Sequence, residues 1–126
     1  MDSDTLLLRQ IHPSFVQNGR PTSQAFRPAP KDECFLSVDD GSKISPRASW
    51  ERFTKTPECR SAGVMAVTYS ECSEQGLPVI ADGDPFPEHC SIDFSNLTKG
   101  TVEKKAKILV RRAAERDWLF KDIQQA

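Results

Sequence analysis

Apolar positions along the chain gather in short runs separated by long polar stretches rich in proline, and the runs show two different periods. Leu6-Leu7-Leu8-Arg9-Gln10-Ile11 is an apolar run interrupted by Arg9, and Pro13 forbids a helix from continuing past His12, so the pattern predicts a strand. Cys34-Phe35-Leu36-Ser37-Val38 reads as a second strand, closed by the turn signal Asp39-Asp40-Gly41. Gly63 to Tyr69 is apolar almost without a break, the mark of a strand buried on both faces, and is expected near the centre of a sheet. Cys90-Ser91-Ile92-Asp93-Phe94 supplies a fourth strand, and Val79-Ile80 a brief edge strand.

Helical spacing governs the remaining runs. Ser45 followed by Pro46 matches an N-cap with proline at the first helical position, starting a short helix to about Phe53 in which Trp50 and Phe53 share the buried face. Ser70 is the expected cap of a helix of barely more than one turn, with Glu71 and Glu74 near its start and Gly76 as its stop. Thr101 is the expected cap of a long C-terminal helix, where Val102, Ala106, Leu109 and Ala113 step by four, three and four, as one buried stripe requires. Trp118, Leu119 and Phe120 pack at its end. Between the first two strands, Pro13, Gly19, Pro21, Pro28 and Pro30 leave no sustained period, so a long loop turning Phe15 and Phe26 inward is predicted. Together these elements predict an α+β fold: a small mixed or antiparallel sheet of about four strands, the long C-terminal helix on one face, and long proline-rich loops.

Composition narrows the picture modestly. A length of 126 residues allows one domain spanning 1–126, with residues 1–5 expected to be a flexible N-terminus. Lys and Arg number 17 against 18 Asp and Glu, so the whole molecule projects no strong field, and any electrostatic partner must be sought locally. The start Met1-Asp2-Ser3-Asp4 lacks the basic region of an export signal, and no run is long enough for a membrane span. A cytoplasmic protein with Cys34, Cys59, Cys72 and Cys90 as free thiols is therefore expected, with no membrane partner.

Candidate chemistry begins with the only two histidines, His12 at the end of the first strand and His89 at the start of the fourth. Were those strands paired antiparallel, both imidazoles would stand at one end of the sheet. Histidine titrates near neutrality and serves as general acid or base, while arginine grips phosphate or carboxylate with two hydrogen bonds. His12, Arg9, Ser23 and His89 are accordingly the catalytic candidates, with Arg27, Ser37 and Asp32 as ligand-binding candidates. Arg9 shares a strand face with Leu7 and Ile11, so if that face is the core it needs an acceptor, for which Asp93 is available. The bland alternative is that histidine before proline merely ends a strand and the serines cap turns.

Zinc would find Cys34, Cys59, His89, Cys90 and His12 as donors, but no paired Cys-x-x-Cys exists, so no metal is expected. Cys90 with His12 is a conceivable nucleophilic pair, though the sequence offers no oxyanion-hole signature, and Cys72 reads as a small buried apolar residue. Glycine-rich phosphate loops and nucleophile elbows are missing from the sequence, so no cofactor is expected and no motif is specific enough to name a family.

The C-terminal helix carries the one marked charge asymmetry: seven basic residues against two acidic between Lys99 and Arg116. Lys104, Lys107 and Arg111 are its candidate partner-binding residues, for a protein or, through phosphates, a nucleic acid. A solvated exterior, with Glu103 placed to pair with Lys107 and with Asp82, Asp84 and Glu88 neutralising the face internally, is the competing reading. The expectation is a small accessory or regulatory protein that binds another macromolecule. A His-dependent transferase or hydrolase acting on a phosphorylated or nucleotide-like substrate is the alternative.

Overall fold

In the computed structural model, which describes residues 1–29 and 34–122, Leu6–Ile11 forms β1. Phe35–Asp40 forms β4, Gly63–Thr68 β5, and His89–Asp93 β7. Four two-residue strands accompany them: Val16–Gln17 (β2), Arg20–Pro21 (β3), Val79–Ile80 (β6) and Phe120–Lys121 (β8). The main sheet has six strands in the order β6-β7-β4-β1-β5-β8, every pair antiparallel, while β2 and β3 form a separate ribbon inside the long loop. The α+β class is as expected. The strand count exceeds four because strands of two residues are too short to show a period.

Pairing order differs from expectation where it matters most. β4 lies between β1 and β7 and runs antiparallel to both, so β1 and β7 are parallel to each other. Asp39 and Asp40, expected in a turn, are the last residues of β4, with the turn following at Gly41. β5 is interior but not central, since only β8 lies outside it. At this last pairing a Cβ on Gly63 would stand 2.3 Å from the Phe120 carbonyl oxygen, so only glycine permits β8 to approach.

Alternation along β1 sends Leu7 and Ile11 to one face and Leu8 to the other. The first face holds the larger core: Leu7, Ile11, Leu36, Val38, Met65, Val67 and Ile92 pack with Phe26 of the loop and with Ala106, Leu109 and Ala113 of α3 (Lys99–Arg116). The predicted stripe on α3 is thus the buried one. Its N-cap is Thr98, whose Oγ1 accepts from the Thr101 amide, so the helix begins three residues before the expected cap. A similar shift, of two residues, occurs in α2 (Tyr69–Glu74), where Thr68 and Glu71 form a reciprocal capping box in place of a Ser70 cap.

On the opposite face, α1 (Pro46–Thr54) starts at its expected Ser45 cap but covers only a small cluster of Leu8, Val64 and Ala66, joined by Trp50 and Phe120. Its fully buried residue is Ser49; of the expected Trp50–Phe53 pair, Trp50 packs on the cluster while Phe53 is 36% exposed. Phe26 within the long loop is fully buried, as predicted, and two short 3-10 turns, Pro13–Phe15 and Ser23–Phe26, give that loop its shape.

Candidate functional site

The structure separates the two histidines. Leu8 pairs with Asp39 and Asp39 with His89, which places His89 level with Leu8, four residues back along β1 from His12 and two strands away. At about 3.3 Å per residue and about 4.8 Å per strand their Cα atoms stand roughly 16 Å apart, beyond any shared hydrogen-bonding site. His12 instead caps the first 3-10 turn: its Nδ1 accepts from the Ser14 amide at 3.0 Å and meets the Ser14 hydroxyl at 2.7 Å. Its ring leans on Phe15 with centroids 5.7 Å apart.

Arg9 lies on the α3 side of the sheet and donates from Nε to the Ala25 carbonyl at 2.8 Å and from Nη1 to the Ser37 carbonyl at 3.0 Å. It thereby ties the long loop to β4 rather than reaching Asp93, which accepts from the Ser95 amide. Ser23 opens the 3-10 turn beside Ala25, and Arg27 faces Glu103 on α3 at 3.9 Å. Ser37 is exposed on β4, opposite Ser91 on β7. Asp32 lies outside the described residues.

What the fold does assemble, and sequence reasoning missed, is a polar network on the α1 face. Gln10 donates to Ser49 Oγ at 2.9 Å, and Ser49 donates to Asp39 Oδ2 at 2.6 Å. Arg52 bonds the same Asp39 oxygen at 2.7 Å through Nη2 and Glu88 through Nη1, with its guanidinium 4.0 Å from the centre of the Phe86 ring. Beside it, His89 Nδ1 meets Asp82 Oδ1 at 2.6 Å, and Ser91 donates to Asp82 Oδ2 at 2.7 Å. Burial alone would push the Asp82 carboxyl up, but the His89 and Ser91 hydrogen bonds and the imidazole's charge outweigh it, leaving Asp82 below the ordinary aspartate range.

The Arg52 end of this network is closed, while Gln10 Oε1 is buried with no hydrogen-bond partner among the described residues. Two carboxylates already occupy Arg52, so its guanidinium has no fork left for a ligand anion. Cys90 is equally unsuited to nucleophilic chemistry: burial, reinforced by Asp40 and Asp82, pushes its thiol up to about 11. Cys72 is higher still, at about 12, through burial and Glu71. All four cysteines are free, and among the described residues no three or more His, Cys, Asp or Glu side chains are grouped as a metal ion requires.

The remaining site is the exterior of α3. Asp82 and Glu88 are committed to His89 and Arg52 across the sheet from the helix, so they do not neutralise it. Glu103 pairs with Arg27. Arg116 is turned inward, with Nη1 donating to the Ala66 carbonyl at 2.9 Å on the outer edge of β5, and both Nη atoms contacting the Glu71 carboxylate. Lys105 donates to the Gln75 carbonyl at the end of α2. That leaves Lys99, Lys104, Lys107, Arg111 and Arg112 exposed, with no ion pair or side-chain hydrogen bond among the described residues. Lys104, Lys107 and Arg111 line one stripe, at spacings of three and four.

No family model, curated protein or solved structure matches the chain. Among the described residues no helix is long and apolar enough to cross a membrane.

Proposed function

We propose that the chain is a small accessory or regulatory protein of the cytoplasm that binds an acidic macromolecular partner through the outer stripe of α3. One contrast carries this reading. Arg9, Arg27, Arg52, Lys105 and Arg116 are each bound to a carboxylate or carbonyl of the protein itself, whereas Lys104, Lys107 and Arg111 are aligned, exposed and uncommitted. An aligned set of free cations attracts and orients an anionic surface, although each contributes little alone. Four free thiols support a reducing setting.

The test is fluorescence anisotropy with labelled polyglutamate at low ionic strength. Wild type should bind, lose affinity as salt is raised, and lose at least about tenfold in the triple variant Lys104→Glu/Lys107→Glu/Arg111→Glu. Equal binding by both proteins, or none by wild type, rejects the reading.

A second reading, His-dependent transfer or hydrolysis, is favoured by one observation: the contact with Asp82 orients His89, and its Nε2 has no partner among the described residues. It would place the base at His89 rather than His12. Hydrolysis of p-nitrophenyl phosphate that disappears in His89→Gln would support it; turnover indistinguishable from buffer would end it.

A further inference from the structure

Taking the α3 stripe as the binding face, we infer that its partner is an acidic amphipathic helix, seated on Ile108. Ile108 is the one large apolar residue of α3 that belongs to neither hydrophobic cluster among the described residues. At 3.6 residues per turn it stands roughly 130° around the helix from the buried stripe of Val102, Ala106, Leu109 and Ala113. Its neighbours at spacings of three and four are Lys104, Lys105, Arg111 and Arg112, so an apolar β-branched side chain sits among four basic residues, three of them exposed and uncommitted and the fourth, Lys105, bound to the Gln75 carbonyl. Ile108 is partly exposed there.

This cluster has a complement. A helix carrying one apolar side chain with carboxylates three and four residues to either side would bury that side chain on Ile108 and set its carboxylates on the surrounding cations. From Lys104 to Arg111 the stripe covers about 10 Å, two turns of such a helix. A nucleic-acid backbone fits less well. It offers phosphates to the cations but nothing to Ile108, and the stripe carries no aromatic residue for bases to stack upon.

The decisive comparison uses three labelled probes at low ionic strength: a helical peptide of about five turns with leucines on one face flanked by glutamates, its leucine-to-alanine counterpart, and a short DNA duplex. Ile108→Ala should weaken the leucine peptide about fivefold to tenfold, leave the alanine peptide and the duplex unchanged, and keep wild-type melting; Ile108→Gln serves the same comparison with a helix-compatible polar residue. Lys104→Glu/Arg111→Glu should weaken every anionic probe. If Ile108→Ala leaves the leucine peptide unaffected, or the duplex outcompetes it, the helix partner is wrong while the basic face still stands. If the charge reversals change nothing, the binding face itself is wrong.

Discussion

The two faces of the sheet solve the problem of burial differently. Against α3, β1, β4, β5 and β7 present Leu7, Ile11, Leu36, Val38, Met65, Val67 and Ile92, an apolar set interrupted by Arg9 and Asp40 on the same face. Against α1, the same strands present Leu8, Val64 and Ala66 beside Gln10, Asp39 and Ser91. The first face gains from area and is indifferent to direction, whereas the second depends on each hydrogen bond being made. Charge is handled differently as well: on the α3 side Arg9 and Arg116 reach backbone carbonyls while the uncommitted cations lie outside the helix, and on the α1 side Arg52 bridges two carboxylates between helix and sheet.

Truncation should expose that asymmetry most strongly. Phe26→Ala, which empties a fully buried site against α3, should cost about 3–5 kcal/mol in urea denaturation. Leu8→Ala, in the three-residue cluster under α1, should fall near the lower end of the range for such truncations, about 2–3 kcal/mol. If the two losses are equal, the small cluster carries more of the fold than its size implies.

The polar network should respond to its pairing rather than to its volume. Arg52→Met keeps most of the packing but leaves Asp39 and Glu88, with side chains only 10% and 17% exposed, facing each other without a cation; a loss of about 2–3 kcal/mol is expected. Adding Asp39→Asn should recover part of it. No recovery would mean that Arg52 acts through its stacking on Phe86 and not through charge.

Each face also holds one carboxylate with a lowered pKa. Burial would raise Glu71, but hydrogen bonds from Arg116 and Thr68 and the Arg116 charge outweigh it; Asp82 owes its lowering to His89 and Ser91 against the same burial penalty. A carboxyl that titrates lower when folded adds stability that is fully present above its unfolded pKa and disappears as pH falls through the folded one. Melting temperature should therefore decline as pH drops below the ordinary values of 4.5 for Glu and 3.8 for Asp. Glu71→Gln should flatten that decline more than Asp82→Asn, since the Asp82 side chain is 33% exposed against 13% for Glu71 and is better screened. The reverse order would place the stronger acid linkage on the α1 face.

How far the chain could be read depended on whether the determining contacts were local. Ser45-Pro46, the run from Gly63 and the stripe Val102, Ala106, Leu109 and Ala113 each declare themselves within a few residues, and each element formed, with only the start of α3 lying earlier than its expected cap. Strand order is non-local: nothing near His12 or His89 says that β4 inserts between them. Asp39-Asp40 before Gly41 has the composition of a turn, and only Ser49 and Arg52, ten and thirteen residues later, make Asp39 a strand residue with partners. For the same reason nothing near Arg52 in the sequence marks it as the cation of a polar network. The basic stripe of α3 was legible because the spacing of Lys104, Lys107 and Arg111 is set inside one helix.

The smallest expected effect tests whether that stripe is free to serve a partner. Lys104, Lys107 and Arg111 touch none of the ion pairs or hydrogen bonds that hold α3 in place, which run through Thr98 at its start and Lys105 and Arg116 on its inner flanks. Replacing the three by glutamine, which keeps helix propensity and removes the mutual repulsion of like charges at spacings of three and four, should change stability by no more than about 0.5 kcal/mol, with any shift favouring the folded state. Urea denaturation at low and moderate salt would show it, because a gain from relieved repulsion must shrink as salt screens the charges. A loss above about 1 kcal/mol would mean that these side chains support the fold, and that loss of binding in the charge-reversed protein could not be assigned to the surface alone.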